Sequence, residues 1–140
     1  MARILGIDYG GKRLGVAVTD ESCQIASPIG TIERKNLRTD ILNIKQFLDK
    51  YHVSKIVIGL PLHMDIEQES RKTKEVKGFV RSIEKALNLP IELFDERLST
   101  QEAETILLEA DLSRKKRKRY RDKLAASIIL QRYLDEREKK

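Results

Sequence analysis

The chain has 140 residues, of which 40% are hydrophobic and 36% charged, a composition typical of a soluble globular protein. This length predicts one domain, residues 1–140, with a core of two or three layers. The single cysteine, Cys23, excludes an internal disulfide and a thiolate metal cluster. No stretch is long and apolar enough to span a membrane, and no basic and apolar leader precedes the first predicted strand. We therefore expect a cytoplasmic protein without a membrane partner.

The first predicted element is a β-hairpin. Two apolar runs, residues 3–8 and 14–19, flank a Gly-Gly pair, which is a hairpin signal. The first run ends at Asp8, which by the two-residue period of a strand shares a face with Ile4 and Gly6. A carboxylate at the end of so apolar a strand needs a cation, a hydrogen-bond donor or water. Asp8 is therefore the first candidate functional residue, and a solvated side chain at a strand end is the alternative.

The rest of the chain alternates between strand and helix. The periodicity of apolar residues predicts strands over 24–33, 55–59 and 91–96, and helices over 39–51, after 70, over 100–110 and from about 122. Pro28 predicts an edge position or a bulge for the third strand. Three strands joined by tight turns and followed by two strand-helix crossovers predict an α/β fold. Its five-stranded mixed sheet would have helices on both faces.

The positive charge is concentrated near the C-terminus. Residues 114–123 carry eight basic side chains and one acidic one, a net of +7, whereas the whole chain has +6 and the other 130 residues therefore −1. We expect this run to interrupt the last two helices and to bind a polyanion, here nucleic acid. Lys12 and Arg13, which follow the Gly-Gly turn, are further predicted phosphate contacts, with solvation of the hairpin as the alternative. The contacts predicted in the run are Arg114, Lys115, Lys116, Arg117, Lys118, Arg119 and Arg121.

Three acidic positions are expected to meet at one edge of this sheet. Asp8 ends the first strand, Asp95 or Glu96 ends the fifth, and Asp122 begins the last helix in phase with its inward positions. Only one of Asp95 and Glu96 can enter such a site, because neighbouring residues of a regular strand face opposite sides. For Asp122 alone, a helix cap is an equal alternative. Converging carboxylates suit Mg²⁺ or Mn²⁺, and two such ions promote phosphodiester cleavage.

Four motifs along the chain resemble those of a known family. They are GIDYGGKRLGVA at 6–17, VIGLPLHMD at 57–65, FDERLST at 94–100 and DKLAASIILQ at 122–131. In this order they are similar to the motifs of the YqgF family, and the match spans essentially the whole chain. The family comprises small bacterial proteins of the ribonuclease H-like superfamily, which are related to Holliday-junction resolvases and assigned as pre-16S rRNA nucleases.

The resemblance implies a fold, an activity and a set of site residues. The fold would be the ribonuclease H-like three-layer fold, and the activity a metal-dependent endonuclease that processes the 5′ end of precursor 16S ribosomal RNA. Asp8, Glu96 and Asp122 would be the catalytic, metal-binding acids, with Asp95 as the substitute for Glu96. The family usually has Gly after the Met-Asp pair of the second motif, where this chain has Ile66, so we expect that loop to be built differently.

Three other functions are compatible with the sequence. A Holliday-junction-type DNA resolvase would use the same acids and hold its substrate through phosphates, and it would act as a homodimer to cut both strands. Both monomer and homodimer agree with the sequence. A non-catalytic RNA-binding ribosome assembly factor would bind RNA in a salt-dependent manner without cleaving it. A nucleotide phosphatase or kinase of the actin and sugar-kinase type would need a second lobe, for which 140 residues leave no room.

Overall fold

The computed structural model describes residues 2–60, 66–95 and 114–138, with the side chains of 2–59, 71, 73–94 and 124–137. Its strands are β1 (Arg3–Asp8), β2 (Arg13–Thr19), β3 (Ala26–Glu33), β4 (Val53–Leu60) and β5 (Ile91–Asp95). The helices of these ranges are α1 (Leu37–Tyr51), α2 (Ile66–Leu87) and α3 (Arg114–Glu138). Among the residues described, no helix has the length and apolarity that a membrane crossing requires.

The five strands form one mixed sheet in the order β3-β2-β1-β4-β5. β1, β2 and β3 pair antiparallel in sequence, whereas β4 pairs parallel to β1 and β5 parallel to β4. The predicted meander followed by two crossovers is therefore confirmed. β3 lies at the edge, and its register with β2 shifts between Val16 and Ala17, opposite Gly30 and Pro28. Both expectations for Pro28 hold, because a residue without a backbone N–H is tolerated at an edge or a bulge.

Helices cover both faces of the sheet. One core cluster lies under α1 and α2 and includes Leu5, Ile7, Ile56, Ile58, Ile44 and Ile83. A second cluster lies under α3 and includes Ile4, Val57, Ala126, Leu130 and Tyr133. Neighbouring residues of β1 and of β4 enter opposite clusters, as the two-residue period of a strand requires. The three-layer arrangement predicted from the sequence is confirmed by this packing.

Two glycines allow α3 to lie very close to the sheet. A Cβ at Gly6 would be 2.8 Å from Leu130 Cβ and 3.3 Å from the carbonyl oxygen of Ala126. A Cβ at Gly59 would be 2.5 Å from Ile129 Cδ1. Interiors are packed at crystal-like density, so neither position has space for a side chain under the helix. The height of α3 above β1 and β4 is set by these contacts.

Two helices begin earlier than the sequence predicted. α3 begins at Arg114, so the basic run forms the first turns of this helix and does not interrupt two helices. Lys and Arg are good helix formers, and no Gly or Pro separates the run from the apolar turns that pack on the sheet. α2 begins at Ile66, within the segment predicted as a loop, so the residue that replaces the family's Gly is helical. The helix predicted over 100–110 lies outside the described residues.

We expect Gly6→Ala to lower the free energy of unfolding by about 1–3 kcal/mol, because the added methyl must displace a Cβ and a helix carbonyl that cannot rotate away. Gly78, inside α2, is the matched control, since nothing lies within 4 Å of a Cβ there. Gly78→Ala is expected to raise the free energy by about 0.5–1 kcal/mol. Urea unfolding followed by circular dichroism measures both changes. Equal effects of the two substitutions would contradict the close approach of α3.

Candidate functional site

Asp8 is the last residue of β1, at the carboxyl end of the central strand of the sheet. Its partners in register are Gly15 on β2 and Gly59 on β4, so neither neighbouring strand places a side chain beside it. Asp8 is half-buried and in phase with Ile4 and Gly6, the positions that lie under α3. The face predicted for Asp8 from the strand period is the face that this helix covers.

Two contacts between β4 and α3 define the direction of this helix, one at Lys55 and one at Gly59. The Lys55 ammonium donates a hydrogen bond to the hydroxyl of Tyr133. Its Nζ also lies 3.1 Å from Glu92 Oε2 in an ion pair. The hydrogen bond with Tyr133 and the Lys55 ammonium lower the pKa of Glu92. Gly59, four residues further along β4, contacts Ile129, four residues earlier in the helix. α3 therefore runs antiparallel to β4 and to β1.

This direction brings the helix backbone near Asp122 to the level of Asp8. Gly6 packs against Ala126 and Leu130, and Asp122 lies one turn before Ala126. Two residues advance a strand by about 6.7 Å and one turn advances a helix by about 5.4 Å, so α3 passes Asp8 between Ala126 and Asp122. Because the helix begins at Arg114, Asp122 is not in its first turn, and a helix cap no longer accounts for this residue.

β5 fixes the phase of Asp95, the first of the two adjacent acids of the third motif. Phe94 is in register with Gly59 and packs under α3, where its ring meets Tyr133 edge-on at 5.8 Å. Leu93 packs in the cluster on the opposite face. Asp95 is in register with Leu60 and in phase with Leu93, so its position belongs to the face of α1 and α2. Glu96 lies outside the described residues.

The metal site itself stays a prediction. Among the side chains described, no three His, Cys, Asp or Glu residues form a group that could hold an ion. Glu96 and the side chain of Asp122 lie outside that set, and Asp8 alone of the three predicted acids lies within it. What the described backbone provides is the common level of Asp8 and the α3 backbone near Asp122.

The predicted phosphate contacts lie in two places. Lys12 is exposed at the start of β2, and Arg13 Nε lies 2.9 Å from Glu33 Oε1 in a solvent-exposed ion pair. Exposed pairs of this kind contribute no more than about 1 kcal/mol to stability. The run at 114–121 is helical, and its basic positions fall on every side of the helix axis, because successive residues are about 100° apart.

An ion pair between the half-buried Arg34 and the buried Asp40, next to the turn that follows Asp8, was not predicted from the sequence. The Arg34 guanidinium lies 4.8 Å from the ring centroid of Tyr9 and 5.1 Å from that of Phe79. It donates to the carbonyl oxygen of Gly10 at 3.1 Å and to Asp40 Oδ2 at 3.2 Å. Burial acts to lower the pKa of Arg34, but the contacts with Tyr9 and Asp40 outweigh it and raise that pKa. Arg34 therefore ties the turn that follows Asp8 to the start of α1.

The sequence did contain a signal for the acidic partner of this pair. Asp40, Ile44 and Leu48 are four residues apart on α1, and all three are buried, Asp40 with 1% of its surface exposed. An acid in phase with an apolar helical stripe requires a buried partner. The period alone does not identify Arg34 as that partner.

We expect Arg34→Met to lower the free energy of unfolding by about 3 kcal/mol, because it leaves the buried Asp40 carboxylate without its cation. The double variant with Asp40→Leu should recover part of this loss, since both charges are then absent. Arg13→Met, which breaks an exposed pair, is the control and should cost less than about 1 kcal/mol. Urea unfolding of the single and double variants measures the coupling. A loss no larger for Arg34→Met than for the control would contradict the buried pair.

Comparison with known proteins identifies similar chains over almost the full length. A family model described as "RuvX: Holliday junction resolvase" matches residues 2–136. A "Putative pre-16S rRNA nuclease" of Clostridium acetobutylicum is 50% identical over 135 residues, which cover 95% of this chain and 98% of that protein. A protein of the same name from Halothermothrix orenii is 47% identical over 133 residues, which cover 95% of this chain and 94% of that protein. These matches agree with the four motifs.

Solved structures with the same backbone arrangement include Holliday-junction resolvases. RuvC of T. thermophilus, in complex with its Holliday junction substrate, gives a TM-score of 0.60 at 14% identity, covering 99% of this chain and 96% of that one. The yeast mitochondrial Holliday junction resolvase gives a TM-score of 0.51 at 13% identity. The match covers 95% of this chain and 78% of that one. At these identities the likeness concerns the fold, and the predicted ribonuclease H-like fold is confirmed.

Proposed function

The chain belongs to the RuvX family, and we propose that it is a metal-dependent endonuclease that processes the 5′ end of precursor 16S ribosomal RNA. The observation that carries the proposal is the position of Asp8 at the carboxyl end of the central strand, under the helix whose first turns are basic. The names of the relatives that share about half of their residues with this chain favour RNA as the substrate.

Asp8, Glu96 and Asp122 are the residues that would hold Mg²⁺ or Mn²⁺. Carboxylate oxygens are the donors that these hard cations prefer, and neither neighbouring strand places a side chain at the register positions beside Asp8. When bound, the ions activate a water molecule and stabilise the leaving oxygen of a phosphodiester. Asp8 is well suited to such a role, because the hydrogen-bonded strands on both sides hold its backbone.

Of the three proposed metal-binding acids, the middle one along the chain is Glu96 or Asp95. The phase of β5 favours Glu96 as this middle acid. Phe94 belongs to the face of α3, as does Asp8, whereas Asp95 follows the phase of Leu93 on the other face. A strand that continued regularly would return to the face of Asp8 at residue 96.

The basic helix turns would hold the substrate through its phosphates. The run 114–121 leads into Asp122 along one helix, so a phosphate backbone that it attracts would lie next to the acids. Lys12 would add a phosphate contact after the Gly-Gly turn. Arg13 would add another if a phosphate replaced the Glu33 carboxylate as its partner. Phosphate contacts position a nucleic acid without reading its sequence, and they are weakened by salt.

A second candidate function is cleavage of a four-way DNA junction. It is favoured by the description of the family model. The acids and the phosphate contacts would be the same for both substrates. A resolvase that cuts two strands requires two sites, so this function also predicts a homodimer.

We expect the protein to cleave with Mn²⁺ or Mg²⁺ and Asp8→Asn to cleave at least about 100-fold more slowly, since metal stabilisation of the transition state is worth several kcal/mol. Nucleic-acid binding without metal should persist or tighten in this variant, because a negative charge is removed. Asp49→Asn, at an exposed position of α1, is the matched control and should cleave normally.

The substrates for this assay are a precursor 16S rRNA fragment, a single-stranded RNA and a four-way DNA junction. Preferential cleavage of the precursor supports the proposed function, and preferential cleavage of the junction supports the resolvase. If the wild-type protein cuts none of them but binds RNA as well as Asp8→Asn does, the protein is an RNA-binding assembly factor.

Glu96→Gln should reduce cleavage as strongly as Asp8→Asn, whereas Asp95→Asn should retain most of the activity, because Asp95 is out of phase with Asp8. Both substitutions remove one charge and preserve side-chain size, so each serves as the control for the other. Single-turnover cleavage with saturating Mn²⁺ measures the difference. The opposite order of activities would make Asp95 the middle acid.

A further inference from the structure

We propose that the β3–α1 junction, residues 34–38, forms with Lys12 a second phosphate-binding surface for the nucleic-acid backbone. It lies at the same sheet edge as Asp8, on the side away from α3. This inference rests on the proposed nucleic-acid substrate and goes beyond it. It assigns Lys35 and Arg38 to binding and implies a substrate that extends past the acids in two directions.

The register of the strands brings this surface to the edge of the sheet at which β1 ends with Asp8. Asp8 pairs with Gly15, two residues after Arg13, and Arg13 pairs with Glu33 at the end of β3. The backbone N–H of Arg34 then donates to the carbonyl oxygen of Lys12 at 2.9 Å. The end of β1, the start of β2 and the start of α1 therefore lie along one edge of the sheet.

The junction is tied to the turn that follows Asp8. The Arg34 side chain joins the Gly10 carbonyl to Asp40, which is in the first turn of α1. Asn36 caps the same helix, its side chain accepting from the backbone N–H of Thr39 at 2.9 Å. These bonds hold the backbone that carries the exposed cations of the junction in place next to the turn that follows Asp8. A preorganised surface loses less conformational entropy when it binds a ligand.

The charge of this region is positive because its acids are already engaged. Lys12, Lys35 and Arg38 are exposed. Residues 12–13 and 33–40 contain two acids, Glu33, paired with Arg13, and Asp40, buried against Arg34. Five cations against two acids give a net of +3, although the chain outside residues 114–123 has a net of −1. The amino end of α1 adds a partial positive charge at the same place.

Two basic surfaces on either side of the acidic edge fit a polymer and not a single nucleotide. α3 packs on one face of the sheet from Ala126 onward and its basic turns precede this part of the helix, whereas the junction lies toward the face of α1. A phosphodiester backbone, whether of RNA or of DNA, can contact both surfaces while the strand between them passes the end of β1. We therefore expect affinity to rise with substrate length until both surfaces are occupied.

The test is a salt titration of binding without divalent ions. The variant Lys35→Gln/Arg38→Gln is compared with Lys45→Gln/Lys50→Gln, which removes the same charge from exposed positions further along α1. Fluorescence anisotropy with a structured RNA and with a four-way DNA junction gives log K against log salt concentration. Each lost phosphate contact lowers the magnitude of the slope by about 1, so we expect a decrease of about 2 for the first variant and none for the second.

The outcomes separate a local surface from a general charge effect. A slope that changes only in the junction variant supports the proposal, and a change with RNA alone or DNA alone identifies the nucleic acid. Equal changes in both variants, or wild-type binding by the junction variant, would overturn it. Cleavage is measured separately on the wild-type protein. Binding with this slope change but without cleavage would refute the nuclease and leave the surface in place.

Discussion

The packing of α3 against two bare glycines is the constraint on which the rest of the structure depends. Because Gly6 and Gly59 have no side chains, Leu130 and Ile129 fill the space directly above β1 and β4. Shape complementarity at this density allows one height and one register for the helix. The helix segment that carries Asp122 then reaches the level of the β1 carboxyl end. The candidate site is thus a consequence of core packing some distance away from it.

The sheet edge at Asp8 also divides an apolar interior from a charged surface. In β1 the residues between Arg3 and Asp8 are apolar and buried, so the charged side chains of this strand lie at its two ends. Arg34 joins the two environments, because it lies against the rings of Tyr9 and Phe79 and neutralises Asp40. The pair offsets its desolvation with hydrogen bonds and ring contacts, and in doing so it connects the turn after Asp8 to α1.

The fold and the proposed activity depend on different parts of the chain. Resolvases share the backbone arrangement at 13–14% identity, and such a likeness describes layers and strand order rather than a reaction. The proposed activity rests on Asp8 at the carboxyl end of β1 and on charge segregation, with +7 in residues 114–123 and −1 in the remainder. Nucleic-acid binding through phosphates is consistent with both substrates considered, because RNA and DNA present the same charge spacing to a basic surface.

The sequence by itself determined the strands, their order along the chain and the face of Asp8, because strand alternation, the Gly-Gly turn and the crossover rule are signals between near neighbours. Only the tertiary structure decided where α3 begins, since its basic turns have no apolar period and continue a helix that is stabilised by later residues. It also decided the pairing of Arg34 with Asp40 and the contact of Gly6 with Leu130. Such contacts depend on how elements pack, and packing between residues distant along the chain leaves no periodic trace in the sequence.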